Sequence, residues 1–579
     1  MKYKKILALL CLMTLLLSLG ACGGKSKTGD AQSETQSLAQ RVFGYSPKGR
    51  FTVACCSMPE SFSPVYAEDA LSMEFFRLVY DSLWRFDTDG EPEACLAESW
   101  DLSEDSLTWT IRLRQDVFFS DGEPLTSSDV KFSYEYLRRY SRAYADCFDS
   151  ITSIKCPDDY TVVITTSAVK GDLMYNEIPI LPEHIWEDYS ESPSQMDNAA
   201  MVGSGPFLYQ PMTLQEGETQ TTWTFLANEN YFQGSPRIEE LCFRYYESAS
   251  YAADALAYGD ADGCMDLTPV QRLTLQNQAG AELFEVQGAM LGTYVIGLNR
   301  SSGALEDDRV REAISLCVNT EEISSKAFSG LGAAVGGFMT PDSASYLGEV
   351  SREYNPERAA LLLAGAFYDD YDGDGVLESL DGTIELSLQV YTATGDTVAQ
   401  SILTVLKEDL SNLGMELNWQ ELDTDDVASL CSKGGNWDLY IGRQTGTGNP
   451  VTMARRYADG ESETGWQSKT YDAAYASLLT CLDAVQQTEL LTQLQTIVNE
   501  EEPCIVVGYG AEVQAIRADL WTGYLAAAQK TGGLFKTGCI DFYLRVQQSD
   551  GESAGSEQNA AESVLSEPYT EAASDVEPG

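Results

Sequence analysis

Histidine is almost absent from this chain, because His184 is the only one among 579 residues. We expect no histidine-based catalytic triad, which would have to use His184, and the count of one excludes a metal site built from several histidines. His184 lies in the run "LPEHIWED" (181–188), where we expect a structural side chain rather than a ligand contact. Paired carboxylates stay possible as catalysts, but the many Asp and Glu residues single out no pair.

The cysteines contain no C-x-x-C pair, so their spacing does not predict a thiolate zinc site. Apart from Cys22, twelve cysteines follow the N-terminal segment: Cys55, Cys56, Cys95, Cys147, Cys156, Cys242, Cys264, Cys317, Cys431, Cys481, Cys504 and Cys539. Disulfides of an exported chain and small buried thiols both explain them. The sequence leaves this choice open.

Positive charge is scarce, with 37 Lys and Arg against 89 Asp and Glu. An acidic surface without a basic patch would repel phosphates, so we expect no nucleic-acid partner. The run "GSGP" (203–206) is far from the G-x-x-x-x-G-K pattern of a phosphate-binding loop, and it predicts a turn. The acidity itself says little about a small ligand.

No apolar run is long enough to cross a bilayer comfortably; the longest, residues 6–19, follows Lys2, Lys4 and Lys5. This pattern is typical of a signal peptide. The run ends in "LGAC", which resembles the bacterial lipobox, where a Cys receives a diacylglycerol. We therefore expect cleavage after residue 21 and membrane attachment through the Cys22 lipid. An ordinary secretory signal is the alternative.

Both ends of the predicted mature chain lack the composition of a folded domain. Residues 22–48 are small and polar, as in a flexible tether, and residues 549–579 are acidic with few large apolar side chains. The latter predict a disordered tail. About 500 residues lie between these ends, which is enough for two or three lobes.

Within this body, strand-like and helix-like stretches alternate, as in a mixed α/β architecture. "LTWTIRLR" (107–114) predicts a strand, and "LTSSDVKFSYEYLRRY" (125–140) predicts a helix capped by Thr126, Ser127 or Ser128.

A set of ordered sequence blocks resembles the extracellular solute-binding proteins of ABC importers, family 5, the oligopeptide, dipeptide and nickel branch. The blocks include "LAESWDLSEDSLTWTIRLRQDVFFSDGEPLTSSDVKFSYEYL" (96–137), "VGSGPFLY" (202–209), "NENYFQGSPRIEELCFRYY" (228–246), "GLNRSSGALEDDRVREAISLCVN" (297–319) and "LQTIVNEEEPCIVVGYG" (494–510). The resemblance covers roughly residues 50–548 and implies a binding protein rather than an enzyme.

The resemblance implies a type II (cluster C) periplasmic-binding-protein fold. Two large α/β lobes would face a ligand cleft, with a smaller extra lobe on the first. By this resemblance, the first lobe would consist of residues 49–92, 203–297 and 513–548. The extra lobe would be residues 93–202, and the other large lobe would be residues 298–512. The implied partners are a peptide-like solute and the permease and ATPase of an importer at the outer face of the cell membrane.

Two loops are implied to line the cleft. One is "SMPE", with Ser57, Met58, Pro59 and Glu60, although a plain turn explains it equally. The other is "WDLYIGRQTGTGNP" (437–450), from which we take Arg443, Gln444, Thr445, Gly446 and Thr447.

The second loop departs from the pattern of peptide-binding members. In those members an Asp before an acid-Pro pair binds the peptide ammonium group, and the equivalent position here is near Gly446. No carboxylate lies between Arg443 and Pro450. Arg443 could instead bind a carboxylate or another anion, or could simply face solvent.

The stretch "DDYDGDGVLESLDG" (369–382) spaces its acids as a calcium loop does. Candidate ligands are Asp370, Asp372, Asp374 and Asp381, but a helix precedes the stretch and a predicted strand, "TIELSLQVY" (383–391), follows it. An EF-hand needs a second helix and a bidentate Glu at position 12. We therefore expect a surface turn first and a structural calcium site second, with no other cofactor.

Overall fold

The computed structural model describes residues 49–67, 69–87, 92–189, 191, 201–212, 219–268, 271–272, 275, 283–287, 292–328, 337–339, 345–348, 352–432, 436–444, 450–458, 460–509, 513–525, 534–535 and 540–549. The predicted signal peptide, the tether with Cys22, and nearly all of the predicted tail lie outside these residues.

The strands lie along the whole described body. They are β1 Arg50–Cys55, β2 Trp84–Phe86, β3 Pro92–Ala94, β4 Ala97–Leu102, β5 Thr108–Leu113, β6 Ile151–Asp158, β7 Thr161–Thr166, β8 Phe207–Gln210, β9 Thr222–Ala227, β10 Glu240–Tyr245, β11 Gly263–Leu267, β12 Leu283–Gln287, β13 Thr293–Leu298, β14 Tyr368–Asp369, β15 Glu378–Ser379, β16 Ser387–Ala393, β17 Glu416–Leu422, β18 Leu439–Gln444, β19 Cys504–Gly508, β20 Val513–Arg517, β21 Trp521–Thr522 and β22 Gln547–Gln548.

Helices alternate with these strands. They are α1 Ala70–Val79, α2 Ser127–Tyr140, α3 Glu183–Trp186, α4 Ala249–Tyr258, α5 Asp308–Ser315, α6 Thr320–Ala327, α7 Pro356–Gly365, α8 Thr397–Asn412, α9 Thr424–Ser432, α10 Pro450–Arg455, α11 Lys469–Leu479, α12 Ala484–Glu501 and α13 Asp541–Arg545. Within the described residues, no helix combines the length and the apolar character needed to cross a membrane.

The largest sheet has seven strands in the order β12-β20-β11-β1-β10-β9-β8. Its centre is parallel, because β1 pairs in parallel with both β10 and β11, and its outer pairs are antiparallel. Residues of β1 are buried from Phe51 to Cys55, as expected for a strand covered on both faces. Phe51 and Val53 join one hydrophobic cluster, whereas Ala54 joins another with α4.

A second sheet has five strands in the order β17-β16-β18-β13-β19. Alternate residues of its central strands face two different cores, as the two-residue period of a strand requires. Ile296 and Ile441 pack with α5 to α8, whereas Val295 and Tyr440 pack with α10 to α12. The sheet is thus covered by helices on both faces, which is the predicted mixed α/β architecture.

A third sheet, in the antiparallel order β4-β5-β7-β6, belongs to the segment of residues 97–189. Buried residues of this segment share one hydrophobic cluster with the seven-stranded sheet; Trp109 and Ile164 belong to it together with Phe51 and Phe225. The division into three lobes stays a prediction. The predicted boundary between the first lobe and the other large lobe, at 297/298, falls within strand β13, and this strand pairs within the five-stranded sheet.

Local signals in the sequence locate several elements correctly. Thr126 precedes α2, and the Asp129 carboxylate accepts hydrogen bonds from the Thr126 amide at 2.8 Å and hydroxyl at 3.0 Å. Strand β5 lies within the predicted range. The predicted strand at 383–391 is wrong at its start, because β16 begins at Ser387, where the pairing with β17 begins.

The acidic stretch between α7 and β16 forms a turn within the β14–β15 hairpin. The exposed carboxylates of Asp370, Asp372 and Asp374 each offer an oxygen within 4.8 Å of the others. Asp370 accepts hydrogen bonds from two amides of the turn, at 2.7 and 3.2 Å. Asp381 is not part of this group, because its carboxylate accepts hydrogen bonds from Ser379 and Thr383.

The carboxylate of Asp262 links two strands of the seven-stranded sheet, β1 and β11, to strand β21. It precedes β11 and accepts hydrogen bonds from the Thr52 amide and from Trp521 Nε1, both at 2.8 Å. Burial raises the pKa of Asp262 to about 6, although the two donors act in the opposite direction. The folded state therefore binds this proton more tightly than the unfolded chain does.

We expect the contribution of Asp262 to folding stability to be greatest below pH 4 and to be lost as the pH rises through about 6. The loss is about 1.4 kcal/mol per unit of pKa shift. In urea titrations at pH 4.5 and 7.5, the stability gained at the lower pH should be smaller in D262N than in wild type. The D101N variant, which changes an exposed carboxylate paired with Arg112, is the control. Equal pH dependence in wild type and D262N would contradict this assignment.

The acidic turn should keep its structure without a metal ion, because its carboxylates already bind backbone amides. We expect the same thermal midpoint in EDTA and in millimolar calcium. A midpoint that rises with calcium in the wild type but not in D372N would instead establish a calcium site.

Candidate functional site

In the order of the described strands, the chain passes twice between the two large sheets, from β12 to β13 and from β19 to β20. Val513 pairs with both Gln287 and Leu267, and Thr293 pairs with Gln444. The carboxyl ends of β11, β12 and β18 therefore lie beside these passages. We call this region the crossover edge.

Other strand ends lie on the same side of each sheet. Strands β1 and β10 are joined to β11 through parallel pairing, and β16 and β17 run parallel to β18. In open α/β sheets, ligands bind outside the carboxyl ends of the strands, where the strand order changes. The loops that follow β1 and β18 are thus the candidate site, and these are the two loops that the resemblance implies.

The loop after β1 is held in place by hydrogen bonds that its backbone amides donate. The Cys56 amide donates to Asp266 Oδ2 at 2.8 Å, and the Glu60 amide donates to Asp69 Oδ2 at 3.1 Å. The side chains of Ser57, Met58 and Glu60 are exposed, with Met58 39% exposed, and Pro59 is half-buried. All four predicted residues are therefore available for contact with a ligand.

At the end of β18, two neighbouring residues face opposite ways. Arg443 is exposed and pairs with Tyr294 of β13, whereas Gln444 is buried and pairs with Thr293. This difference follows from the alternation of side chains along a strand. The structure thus leaves Arg443 accessible at the crossover edge.

Gln444 is held inside the five-stranded sheet by a network of buried side chains. The Tyr457 hydroxyl donates to Gln444 Oε1 at 2.5 Å, and Gln444 Nε2 donates to the Tyr440 hydroxyl at 3.4 Å. The Cys504 thiol lies 3.7 Å from the Tyr457 hydroxyl. Burial raises the pKa of both tyrosines and raises the pKa of this thiol to about 12. The network is therefore neutral at physiological pH. It supports the strand end from within, and ligand contact by Gln444 stays a prediction.

Two acids at strand ends were not among the predicted residues. Asp266 fixes the loop after β1, as described above. Asp396 follows β16, accepts a hydrogen bond from the Tyr294 hydroxyl at 3.3 Å and caps α8 through the Ala399 amide at 2.9 Å. The Gly-Asp-Thr sequence at 395–397 is a helix-cap signal that could have placed Asp396 at the crossover edge.

The remaining predicted ligand contacts, Thr445, Gly446 and Thr447, lie outside the described residues. Among the described residues, the one group of acids that could hold a metal is the Asp370, Asp372 and Asp374 turn. That turn precedes β16, whose amino end is opposite the crossover edge. It therefore belongs to the far end of the five-stranded sheet.

His184 Nε2 lies 2.8 Å from Asp121 Oδ2, and the imidazole packs near Phe119. These contacts are those of a structural histidine. Seven of the cysteines are free thiols in the described structure: Cys95, Cys156, Cys242, Cys317, Cys431, Cys481 and Cys504. Six of these seven are buried, which favours the buried-thiol explanation for them.

Known proteins of similar sequence are binding proteins of bacterial transport systems. The chain is 25% identical over 454 residues to the oligopeptide-binding protein AppA of Bacillus subtilis, covering 76% of this chain and 80% of that protein. It is also 25% identical over 456 residues to the nickel-binding periplasmic protein of Escherichia coli, covering 75% and 84% respectively. These relatives are substrate-binding proteins rather than enzymes.

A solved structure of AppA from Bacillus subtilis in complex with a nonapeptide has the same fold, with a TM-score of 0.69 at 21% identity. The match covers 87% of this chain and 99% of that one. It confirms the predicted fold class. The model of family 5 of the bacterial extracellular solute-binding proteins matches residues 91–464. This chain belongs to that family, the solute-binding proteins of ABC importers.

Proposed function

We propose that this protein captures a peptide-like solute at the crossover edge and delivers it to the permease and ATPase of an ABC importer. The observation that carries the proposal is that two accessible features, the loop after β1 and Arg443 at the end of β18, lie at the edge where the chain passes between the two large sheets. The relatedness to AppA supports the class of ligand. An extended peptide bound through its backbone would tolerate many side chains.

We also propose that the mature chain begins at Cys22 and is held by a lipid at the outer face of the cell membrane. The basic N-terminus, the apolar run at 6–19 and the "LGAC" sequence support this proposal. The extracytoplasmic location of the family agrees with export.

The proposed ligand presents an anionic group, such as a peptide carboxylate, to Arg443. Arginine forms paired hydrogen bonds with carboxylates, and Arg443 is exposed at the crossover edge. The loop from Arg443 to Pro450 has no carboxylate for a peptide ammonium group. The missing carboxylate favours the alternative that the ligand is not a peptide but an anionic solute, an oligosaccharide or a metal chelate. The nickel-binding relative supports the metal chelate. The same fold could also serve as a surface sensor.

Mass spectrometry of small molecules released from the purified chain tests the ligand class. We expect peptides that are absent from a mock purification of cells without the protein. Recovery of non-peptide species alone would overturn the peptide proposal and support the alternative.

The R443A variant should bind the recovered ligand at least tenfold more weakly than the wild type. A charged partner that is removed from a closed cleft leaves the other charge unpaired, at a cost of about 2–5 kcal/mol. Isothermal titration with the recovered ligand measures the change. The control is R112A, which removes an exposed arginine from the four-stranded sheet. Equal affinity of R443A and R112A would remove Arg443 from the site.

A further inference from the structure

A buried polar contact joins two parts of the molecule that do not share a hydrophobic core. The segment of residues 97–189 packs with the seven-stranded sheet in one cluster. The five-stranded sheet packs into two other clusters, and within the described residues neither cluster contains a residue of that segment. A contact between the segment and the α11–α12 region therefore bridges two separately packed bodies.

The contact is centred on Gly171 and Gln487. The Gly171 amide donates to the Leu479 carbonyl at 3.0 Å, and Gln487 Nε2 donates to the Gly171 carbonyl at 3.1 Å. Gln487 Nε2 also donates to the Cys481 carbonyl at 2.8 Å, and the Tyr175 hydroxyl donates to Gln487 Oε1 at 3.3 Å. Gln487 is only 6% exposed, so the amide is enclosed by this contact.

The backbones approach so closely that residue 171 must be glycine. A Cβ atom there would lie 2.0 Å from the Cys481 carbonyl oxygen. Lys170 and Asp172 flank the glycine and form an ion pair at 3.1 Å, with Lys170 buried. The fit is thus specific, although it consists of hydrogen bonds rather than an apolar interface.

A contact of this kind can open without exposing a hydrophobic core. Water can replace each of its hydrogen bonds, so separation costs far less than separation of packed apolar surfaces. Among the described residues, the two bodies also meet at an ion pair between Arg455 of α10 and Asp149 of the segment, at 3.8 Å, which is exposed and therefore weak. Bodies that are held together by such polar contacts can move apart as binding proteins open and close around a ligand. The polar contact can therefore break and form again at a low cost in free energy.

We infer that the contact residues form a latch, which stabilises the arrangement of the two bodies seen here, and we assign this arrangement to the closed state. The latch residues are Gly171, Tyr175, Leu479, Cys481 and Gln487. This inference rests on the proposed function, since closure matters to a protein that encloses a solute. The segment of residues 97–189 then has a role in binding without touching the ligand. By favouring the closed state, the latch raises the affinity for any ligand that prefers that state.

The G171A variant tests the latch, because its Cβ displaces the Cys481 carbonyl without removing a hydrogen-bonding group. Small-angle X-ray scattering of the ligand-free chain, without residues 1–21, should give a larger radius of gyration for G171A than for wild type. The control is G365A, where a Cβ at the end of α7 would meet no atom within 4 Å. Equal radii in G171A and wild type would overturn the latch.

A second variant, Q487E, replaces the Nε2 donor with an oxygen that faces two carbonyl oxygens. The Q487E variant should give the same increase in the radius of gyration, so it tests the latch even if G171A does not fold. The measurement needs no ligand, so it is independent of the proposed function. Recovery of non-peptide species alone from the wild type would overturn the peptide proposal and leave the latch. An unchanged radius in folded G171A, or in Q487E if G171A does not fold, would overturn the latch and leave the peptide proposal.

Discussion

The rest of the structure depends on a buried carboxylate, Asp81, at the point where the chain leaves the seven-stranded sheet and later returns to it. Burial raises the pKa of Asp81, and hydrogen bonds from the Ser204 hydroxyl at 2.9 Å and the Tyr231 hydroxyl at 3.0 Å act in the opposite direction. A buried acid is tolerated only where such donors surround it. Asp81 therefore fixes the outgoing chain, near residue 81, against the returning chain, near residue 204.

Two glycines make this junction possible. A Cβ at Gly203 would lie 2.1 Å from the Val79 carbonyl oxygen, and a Cβ at Gly205 would lie 2.6 Å from the Leu78 carbonyl oxygen. The Gly205 amide donates to Val79 at 2.8 Å. The run "GSGP", which the sequence predicts as a turn, thus forms a close backbone contact where the 97–189 segment joins the seven-stranded sheet. Because the 97–189 segment also shares one hydrophobic cluster with the seven-stranded sheet, we expect movement at Gly171 to carry that sheet with it.

The parts of the fold that sequence reasoning located are those determined by neighbouring residues. The cap at Thr126 and the helix that begins at Pro356 with Asn355 as its cap depend on contacts within four residues. The start of β16 depends on a partner strand about thirty residues away, so alternation alone placed it four residues too early. The Gly171 contact joins residues more than three hundred positions apart, and no local pattern predicts it.

The same distinction applies to the site. The family resemblance implies that the loops after β1 and β18 line one cleft, and the strand topology brings the ends of these two strands to the crossover edge. Alternation along β18 separates Arg443 from Gln444, but only the three-dimensional structure provides the tyrosines that hold Gln444 inside. Asp381 illustrates the limit of spacing, because the calcium pattern places it with three other acids, whereas its carboxylate binds Ser379 and Thr383.

The charge of the chain sharpens the role proposed for Arg443. A formal charge of −52 disfavours the approach of an anion, but charges at a surface are largely screened beyond about 8 Å at physiological ionic strength. Two acids at this edge have their negative charge partly satisfied by hydrogen-bond donors, because Asp266 accepts an amide and Asp396 accepts an amide and a hydroxyl, whereas Glu60 in the loop after β1 is exposed. Overall acidity should therefore mainly slow the association of an anionic solute, whereas Arg443 would slow its release. An acidic binding protein can thus hold an anionic ligand if the positive charge lies where the cleft closes, and the latch would keep that cleft closed.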